Sequence, residues 1–191
     1  MTSEPVIIAV DGPAASGKGT LARRLAAHFD YAYLDTGSLY RALAFDVLRR
    51  GEAPEDASAG LRAAKAFDLT MLNDPDTLAA LRTDAVGTAA SMVAAQPDTR
   101  AAILQIQRDI AETPPDGKAG AVLDGRDIGT IVCPQAAHKI FVTARAEIRA
   151  ERRWQELRRH DPQISPEDVL ADFEGARPTR QRTRHSAHAR G

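Results

Sequence analysis

The sequence predicts an α/β fold with a doubly wound parallel sheet, and three observations carry that reading. Short unbroken runs rich in β-branched residues, Val6–Val10 foremost, have the composition of strands buried on both faces. Segments with apolar residues three and four apart lie between them, as helices packed on such a sheet require. The first run passes straight into a glycine-rich loop and then a helical pattern, so ligands are expected at the carboxyl ends of the strands.

The first strand covers 6–10. Leu21, Leu25 and Phe29 then recur every four residues with Ala22 and Ala26 beside them, which predicts a helix over about 18–29 with that face on the sheet. Tyr31 to Leu34 form a short extended piece, followed by a helix near 37–50 that Gly51 closes. Residues 52–83 are the least regular part and read as an insert, with Phe67 to Leu72 alternating like a half-exposed strand and Asn73 to Asp76 as a turn. Two helices follow, broken at Gln96-Pro97 because the residue before proline is pushed out of the α region. The second carries Ile103, Ile106 and Ile110 on one face. Ala121 to Leu123 and Lys139 to Val142 are further buried strands, and a charged helix runs from about Glu147 to Arg159.

A length of 191 residues suits one α/β domain with a small insert. With 43% hydrophobic and 27% charged residues and a formal net charge of −1, the chain as a whole is neither disordered, membrane-spanning nor globally nucleic-acid-binding in composition. The charge is unevenly placed. Residues 177–191 hold five arginines and two histidines without a carboxylate, so 175–191 reads as a basic, disordered tail. A lone Cys133 excludes an intramolecular disulfide and a cysteine-rich metal site, suits a reducing compartment, and reads as a small core residue. The N-terminus has no basic leader and its apolar run is too short for a signal peptide or a spanning helix, so a cytoplasmic location is expected.

Gly12-Pro13-Ala14-Ala15-Ser16-Gly17-Lys18 has the spacing Gly-x4-Gly-Lys. Backbone N–H groups approach phosphate oxygens closely only where no Cβ intervenes, and a helix N-terminus adds about half a positive charge. Lys18 can then reach the β and γ phosphates of a nucleotide. The competing reading, a glycine turn with a solvated lysine, does not explain the strand before it and the helix after it. Position 19 is glycine and the hydroxyl comes one residue late, at Thr20, an arrangement typical of nucleoside monophosphate kinases.

The carboxyl ends of the next two strands carry Leu34-Asp35-Thr36-Gly37-Ser38-Leu39-Tyr40-Arg41 and Asp124-Gly125-Arg126-Asp127-Ile128-Gly129-Thr130. With Ile8 to Pro13, Gly17 to Thr20, Leu81-Arg82-Thr83 and Ala89-Ala90-Ser91, they make residues 5–174 resemble bacterial cytidylate kinases. The resemblance implies a P-loop nucleoside monophosphate kinase fold. Its core would lie at about 5–50 and 115–145, its small NMP-binding region at 52–112 and a partial lid at 145–174.

It also implies ATP-dependent phosphorylation of CMP and dCMP, with Mg2+ as cofactor and the protein acting as a monomer. ATP would sit on Gly12, Pro13, Ala14, Ala15, Ser16, Gly17, Lys18, Gly19 and Thr20, with Arg153 from the lid. The acceptor phosphate is already an oxyanion, so charge neutralisation replaces a strong general base, and Lys18, Arg41 and Arg126 would supply it. CMP would be held by Thr36, Arg41, Ser91, Arg100, Arg126 and Asp127, with the Asp127 carboxylate on the exocyclic amine of cytosine and UMP discriminated against. Asp35 and Asp124 both end apolar extended runs, where an acid either holds Mg2+ or caps a turn. Asp35 is taken as the metal residue. The lid arginines either close over ATP or pair with Glu147, Glu151 and Glu156 along their own helix, and Trp154 reads as packing.

After Glu174 the resemblance stops. The arginine- and alanine-rich text of 175–191 reads as a truncated end or a shifted reading frame, which leaves a sheet edge open and lowers turnover. Two other readings compete: a P-loop kinase for another small molecule, and a non-catalytic nucleotide-binding remnant whose basic tail touches nucleic acid. The Asp124 to Thr130 block and the Ser91/Arg100 pair argue against the first, and salt-dependent RNA binding lost with the tail would favour the second.

Overall fold

The structure, a computed structural model, describes residues 4–158 and 162–173. The expectations for 175–191, a basic tail from a shifted or truncated end, lie outside the described residues, as does Arg159. Two compact units are distinguished: residues 4–13 with 17–142, and residues 14–16 with those from 143 onward.

In the first unit four parallel strands, β1 (Val6–Asp11), β2 (Ala32–Asp35), β3 (Gly120–Gly125) and β4 (His138–Phe141), stand in the order β2-β3-β1-β4. Side chains alternate across the sheet, and the two faces bury different partners. Ile8, Val10 and Val122 pack under Ala22 and Ala26 of α1 (Lys18–Phe29). Ile7, Ala9, Ala121 and Leu123 pack under the opposite layer of α2 (Thr36–Arg49), α3 (Ala57–Lys65), α5 (Asp84–Ala94) and α6 (Pro97–Glu112). The predicted core includes Cys133, which is buried, its thiol pushed above the usual range by that burial. Among the described residues no helix is long and apolar enough to cross a membrane.

Four expectations need correction. The strand at Lys139 to Val142 is present as β4 but is not buried: it is the last strand in the sheet order, with His138, Lys139 and Phe141 exposed, Phe141 at 70%, so its apolar residues do not face two layers. Phe67 to Leu72 are no strand: a 3-10 turn covers Leu69–Asn73, and α4 (Pro75–Ala80) follows. Asp68 accepts from the Thr70 amide at 2.9 Å, while Asp74 accepts from the Thr77 amide at 2.8 Å and its hydroxyl at 2.6 Å. These local bonds give the backbone partners that a strand would seek elsewhere. The expected turn at Asn73 to Asp76 is thus the capped start of a helix. Phe29 is 48% exposed rather than packed on the sheet. A four-residue spacing drifts about 40° per step on a 3.6-residue helix, so the third member of the stripe has rotated off the buried face. Phe29 stacks instead on Tyr31, with ring centroids 5.5 Å apart.

The second unit contains α7 (Ala146–Leu157) and α8 (Pro166–Phe173). Trp154 packs as expected: its indole N–H donates to Ile164 O at 3.0 Å and the Arg158 guanidinium lies 4.6 Å over its ring. The Arg149 guanidinium covers Phe173 at the same distance.

Candidate active site

The chain leaves β1 through Gly12 and enters α1 at Gly17, whose φ of 98° favours glycine. α2, α3 and α4 each begin on an aspartate side chain that accepts a backbone N–H, whereas α1, like α5, α6 and α7, begins with no side-chain cap, and α1 alone of these follows a glycine loop off a strand tip. Its first amides and the half-charge of the helix end are left to a ligand. The buried Ser16 hydroxyl has no hydrogen-bond partner among the described residues, a second polar group that the protein alone does not satisfy. Ala15 adopts φ 58°, and within the second unit the carbonyls of Ala14, Ala15 and Ser16 accept from Arg149 Nε at 3.0 Å and Arg152 Nη1 at 3.3 and 2.9 Å. The α7 arginines that reach the loop are therefore Arg149 and Arg152, whereas the sequence reading assigns Arg153 of the same helix to ATP. Arg153 pairs with Glu156 at 3.1 Å.

Gly19 has a steric reason. A Cβ there would stand 3.0 Å from Asp124 Oδ2 and 3.7 Å from the Tyr33 hydroxyl. Asp35 and Asp124 are register partners on β2 and β3, so their side chains share the α1 face of the sheet. Asp124 is buried and accepts from the Tyr33 hydroxyl at 2.8 Å. Burial first, and the Asp35 charge second, raise its pKa, while Lys18 and Arg23 oppose them. Burial beside that carboxylate likewise holds Tyr33 far above the usual tyrosine range, which keeps it a donor. Asp35 caps α2, accepting from the Gly37 amide at 3.0 Å and the Ser38 hydroxyl at 2.9 Å. A divalent cation fits this pair: two acids stand side by side, and the more buried one is raised by its burial first and by its neighbour's charge second.

On the opposite face the Thr36 hydroxyl donates to Asp124 O at 2.8 Å, tying the tips of β2 and β3 together. A cleft of about 150 Å³ lies beyond them, lined by Tyr40, Arg100, Leu104, Gln107, Asp127 and Ile131 among others. Arg100 Nη2 stands 3.9 Å from Asp127 Oδ2, so the sequence-predicted arginine and acid meet there. Burial raises the Tyr40 pKa, which leaves a phenol able to donate into the cleft. Sequence reasoning missed Tyr40 and Gln107; Tyr40 sits inside a quoted motif, one residue before Arg41, and that adjacency was the available signal. Arg41 donates to Leu81 O at 2.9 Å and lies against Gly87 of α5. Arg126 is exposed and, among the described residues, forms no ion pair. Ser91 stands outside the cleft lining, exposed on α5, with its hydroxyl turned back to Gly87 O at 3.2 Å.

A parallel sheet with a phosphate loop at its first crossover, paired acids at neighbouring strand tips and a polar cleft beside them defines a nucleotide phosphotransferase of the P-loop class. The family model described as cytidylate kinase matches residues 8–189, running past the point where the sequence reading ends the resemblance. The chain is 58% identical over 168 residues to the cytidylate kinase of Rhodospirillum rubrum, covering 88% of this chain and 77% of that one. It is 54% identical to that of Azorhizobium caulinodans with the same shares. It is 55% identical over 169 residues to that of Paramagnetospirillum magneticum, covering 87% and 77%. This chain belongs to the cytidylate kinase family.

Proposed function

We propose that the protein transfers the γ-phosphoryl group of ATP to the phosphate of CMP, and of dCMP, giving the diphosphate and ADP. The observation that carries this reading is the cleft where Asp127 faces Arg100 and Tyr40. A carboxylate there accepts the exocyclic amine of cytosine, whereas uracil would turn a carbonyl toward it. Donor and acceptor approach from loops on neighbouring strands, β1 and β3.

A CMP phosphate oxygen attacks the γ-phosphorus, the bond to the β-bridging oxygen breaks, and ADP departs with that oxygen's electrons. Lys18 and the free amides opening α1 neutralise the donor phosphates. Arg41 and Arg126 supply planar guanidinium groups to the acceptor phosphate. Thr36 sets the spacing of the strand tips through its bond to Asp124 O. Ser91 and Arg153 are the remaining members of the proposed set, Ser91 toward CMP and Arg153 toward ATP. Asp35 and Asp124 would hold Mg2+, which, when bound with ATP, offsets charge on the transferring group. A cytoplasmic monomer is the corresponding expectation for the cell.

Calorimetric titration of CMP with and without a non-hydrolysable ATP analogue tests the reading. Micromolar to millimolar binding of CMP, tighter than UMP, is expected from ordinary enzyme–substrate affinities. Absence of binding by either nucleotide would refute it.

A further inference from the structure

The Ile128–Val132 segment after β3 is a single wide turn of π-helix, closed by the Val132 amide on Asp127 O and the Cys133 amide on Ile128 O and too short to hold its own shape. Its amide end meets Asp11, the last residue of β1. The buried Asp11 carboxylate accepts from the Ile128 amide through Oδ1 at 2.7 Å and from the Gly129 amide through Oδ2 at 2.8 Å. Its carbonyl end meets Arg108 of α6, which donates through Nε to Val132 O and through Nη2 to Ile131 O, both at 2.9 Å. A third charged residue, Lys139 of β4, donates to Pro134 O at 2.5 Å. Its aliphatic stem also crosses position 129 so closely that a Cβ there would stand 3.2 Å away. A carboxylate on the amides and a guanidinium on the carbonyls match the dipole of the turn, so all four bonds are charge-assisted.

The turn begins one residue after Asp127, and its residues Ile131 and Val132 line the same cleft as Asp127. We infer that Asp11 and Arg108 are positioning residues for the acceptor nucleotide: they clamp the Ile128–Val132 turn at both ends and so fix Asp127 at the mouth of the cleft. Neither touches the nucleotide in this account. Arg108 is the cleaner member of the pair, since Asp11 also precedes the phosphate loop. The inference rests on the proposed CMP reading only for its consequence; the clamp itself is a property of the free protein.

The test uses the full chain as wild type, Arg108→Ala, Arg108→Lys and Asp11→Asn. Amide hydrogen exchange of peptides covering 126–133 is measured without ligand, and KM for CMP and for ATP are measured separately. Arg108→Ala is expected to speed exchange in that segment and to raise KM for CMP roughly tenfold, from the loss of charge-assisted bonds, with KM for ATP changed less than about twofold. Arg108→Lys, which keeps the charge but loses the fork, should fall between. Asp11→Asn, which turns an amide donor toward a backbone N–H, should speed the same exchange even if ATP binding also weakens.

Unchanged exchange in both Arg108→Ala and Asp11→Asn overturns the clamp, and an equal rise in both KM values for Arg108→Ala overturns its role toward the acceptor. If wild type proves not to bind CMP at all, the functional reading falls and the exchange measurement alone decides the clamp.

Discussion

Two loops leave the carboxyl ends of adjacent strands in this sheet, and they solve opposite problems. The loop after β1 spends no side chain on the start of α1, so amides and a buried Ser16 hydroxyl remain unsatisfied by protein. The loop after β3 has its amides taken by Asp11 and its carbonyls by Arg108. One loop binds with its backbone and needs glycine; the other binds with side chains and needs a scaffold. The difference follows from the ligands. A polyphosphate presents many equivalent oxygens that a nest of amides can meet, while a base edge presents a fixed donor and acceptor pattern that calls for one oriented carboxylate.

The largest expected effect comes from removing Lys18, the cationic side chain that opens α1 directly after the first loop. Lys18→Met should lower kcat roughly 10²–10³-fold, as loss of a group that stabilises developing charge does. A coupled assay of ADP release would read it, and a loss below tenfold would mean that the amides alone neutralise the donor. The corresponding change in the second loop is Asp127→Ala. It should weaken CMP about 10- to 100-fold, the worth of one or two hydrogen bonds to a charged group, while ATP affinity stays within about twofold. Equal weakening of both nucleotides would erase the division of labour between the loops.

Next in size is a test of the scaffold itself. At Gly125 a Cβ would stand 2.6 Å from Ile128 Cδ1 and 2.7 Å from Thr36 Oγ1. Both neighbours are buried, and Thr36 holds the Asp124 carbonyl. Gly125→Ala therefore forces overpacking, with an expected loss of about 1–3 kcal/mol in denaturant unfolding. An unchanged midpoint would show that the β3 loop shifts freely, and the contrast with the β1 loop would weaken.

The contrast also explains what the sequence disclosed. Gly-x4-Gly-Lys is legible because a backbone-binding loop writes its requirement locally, as missing Cβ atoms next to a strand and a helix. The buried strands were legible for a similar reason: Ile7, Ile8, Ala9 and Val10 face two apolar layers and carry no polar alternation. The cleft was legible only in part. Arg100 and Asp127 were expected together from the family resemblance and do meet, but Arg108 and Asp11 act on the β3 loop from α6 and from β1, and nothing at either position announces a partner across the sheet. Phe67 to Leu72 misled for the reverse reason. Alternating hydrophobicity says nothing about Asp68 and Asp74, whose side chains bond the backbone two and three residues on and turn it into helix.

Those capping aspartates offer the mildest test, because they show what α1 lacks. Asp74 accepts from both the amide and the hydroxyl of Thr77, and these bonds hold its pKa below the ordinary value of about 3.9. A carboxyl whose folded-state pKa is lowered binds fewer protons folded than unfolded, so its contribution is present above the ordinary value and is lost as pH falls through the lowered one. Asp56 and Asp68 are lowered by the same kind of bond and titrate in the same direction. Asp74→Ala should reduce thermal stability at neutral pH by less than Gly125→Ala does, and the gap from wild type should close on acidification below about pH 4. Asp74→Asn, which keeps an acceptor, should retain most of the neutral-pH stability. A helix capped in this way by its own chain gains little from an added anion, whereas ATP should raise the melting temperature of wild type and Asp74→Ala by the same increment, since the amides it occupies are those that α1 leaves open. A smaller increment in Asp74→Ala would mean that the two helix starts are coupled, and that the division between satisfied and unsatisfied loops is not local.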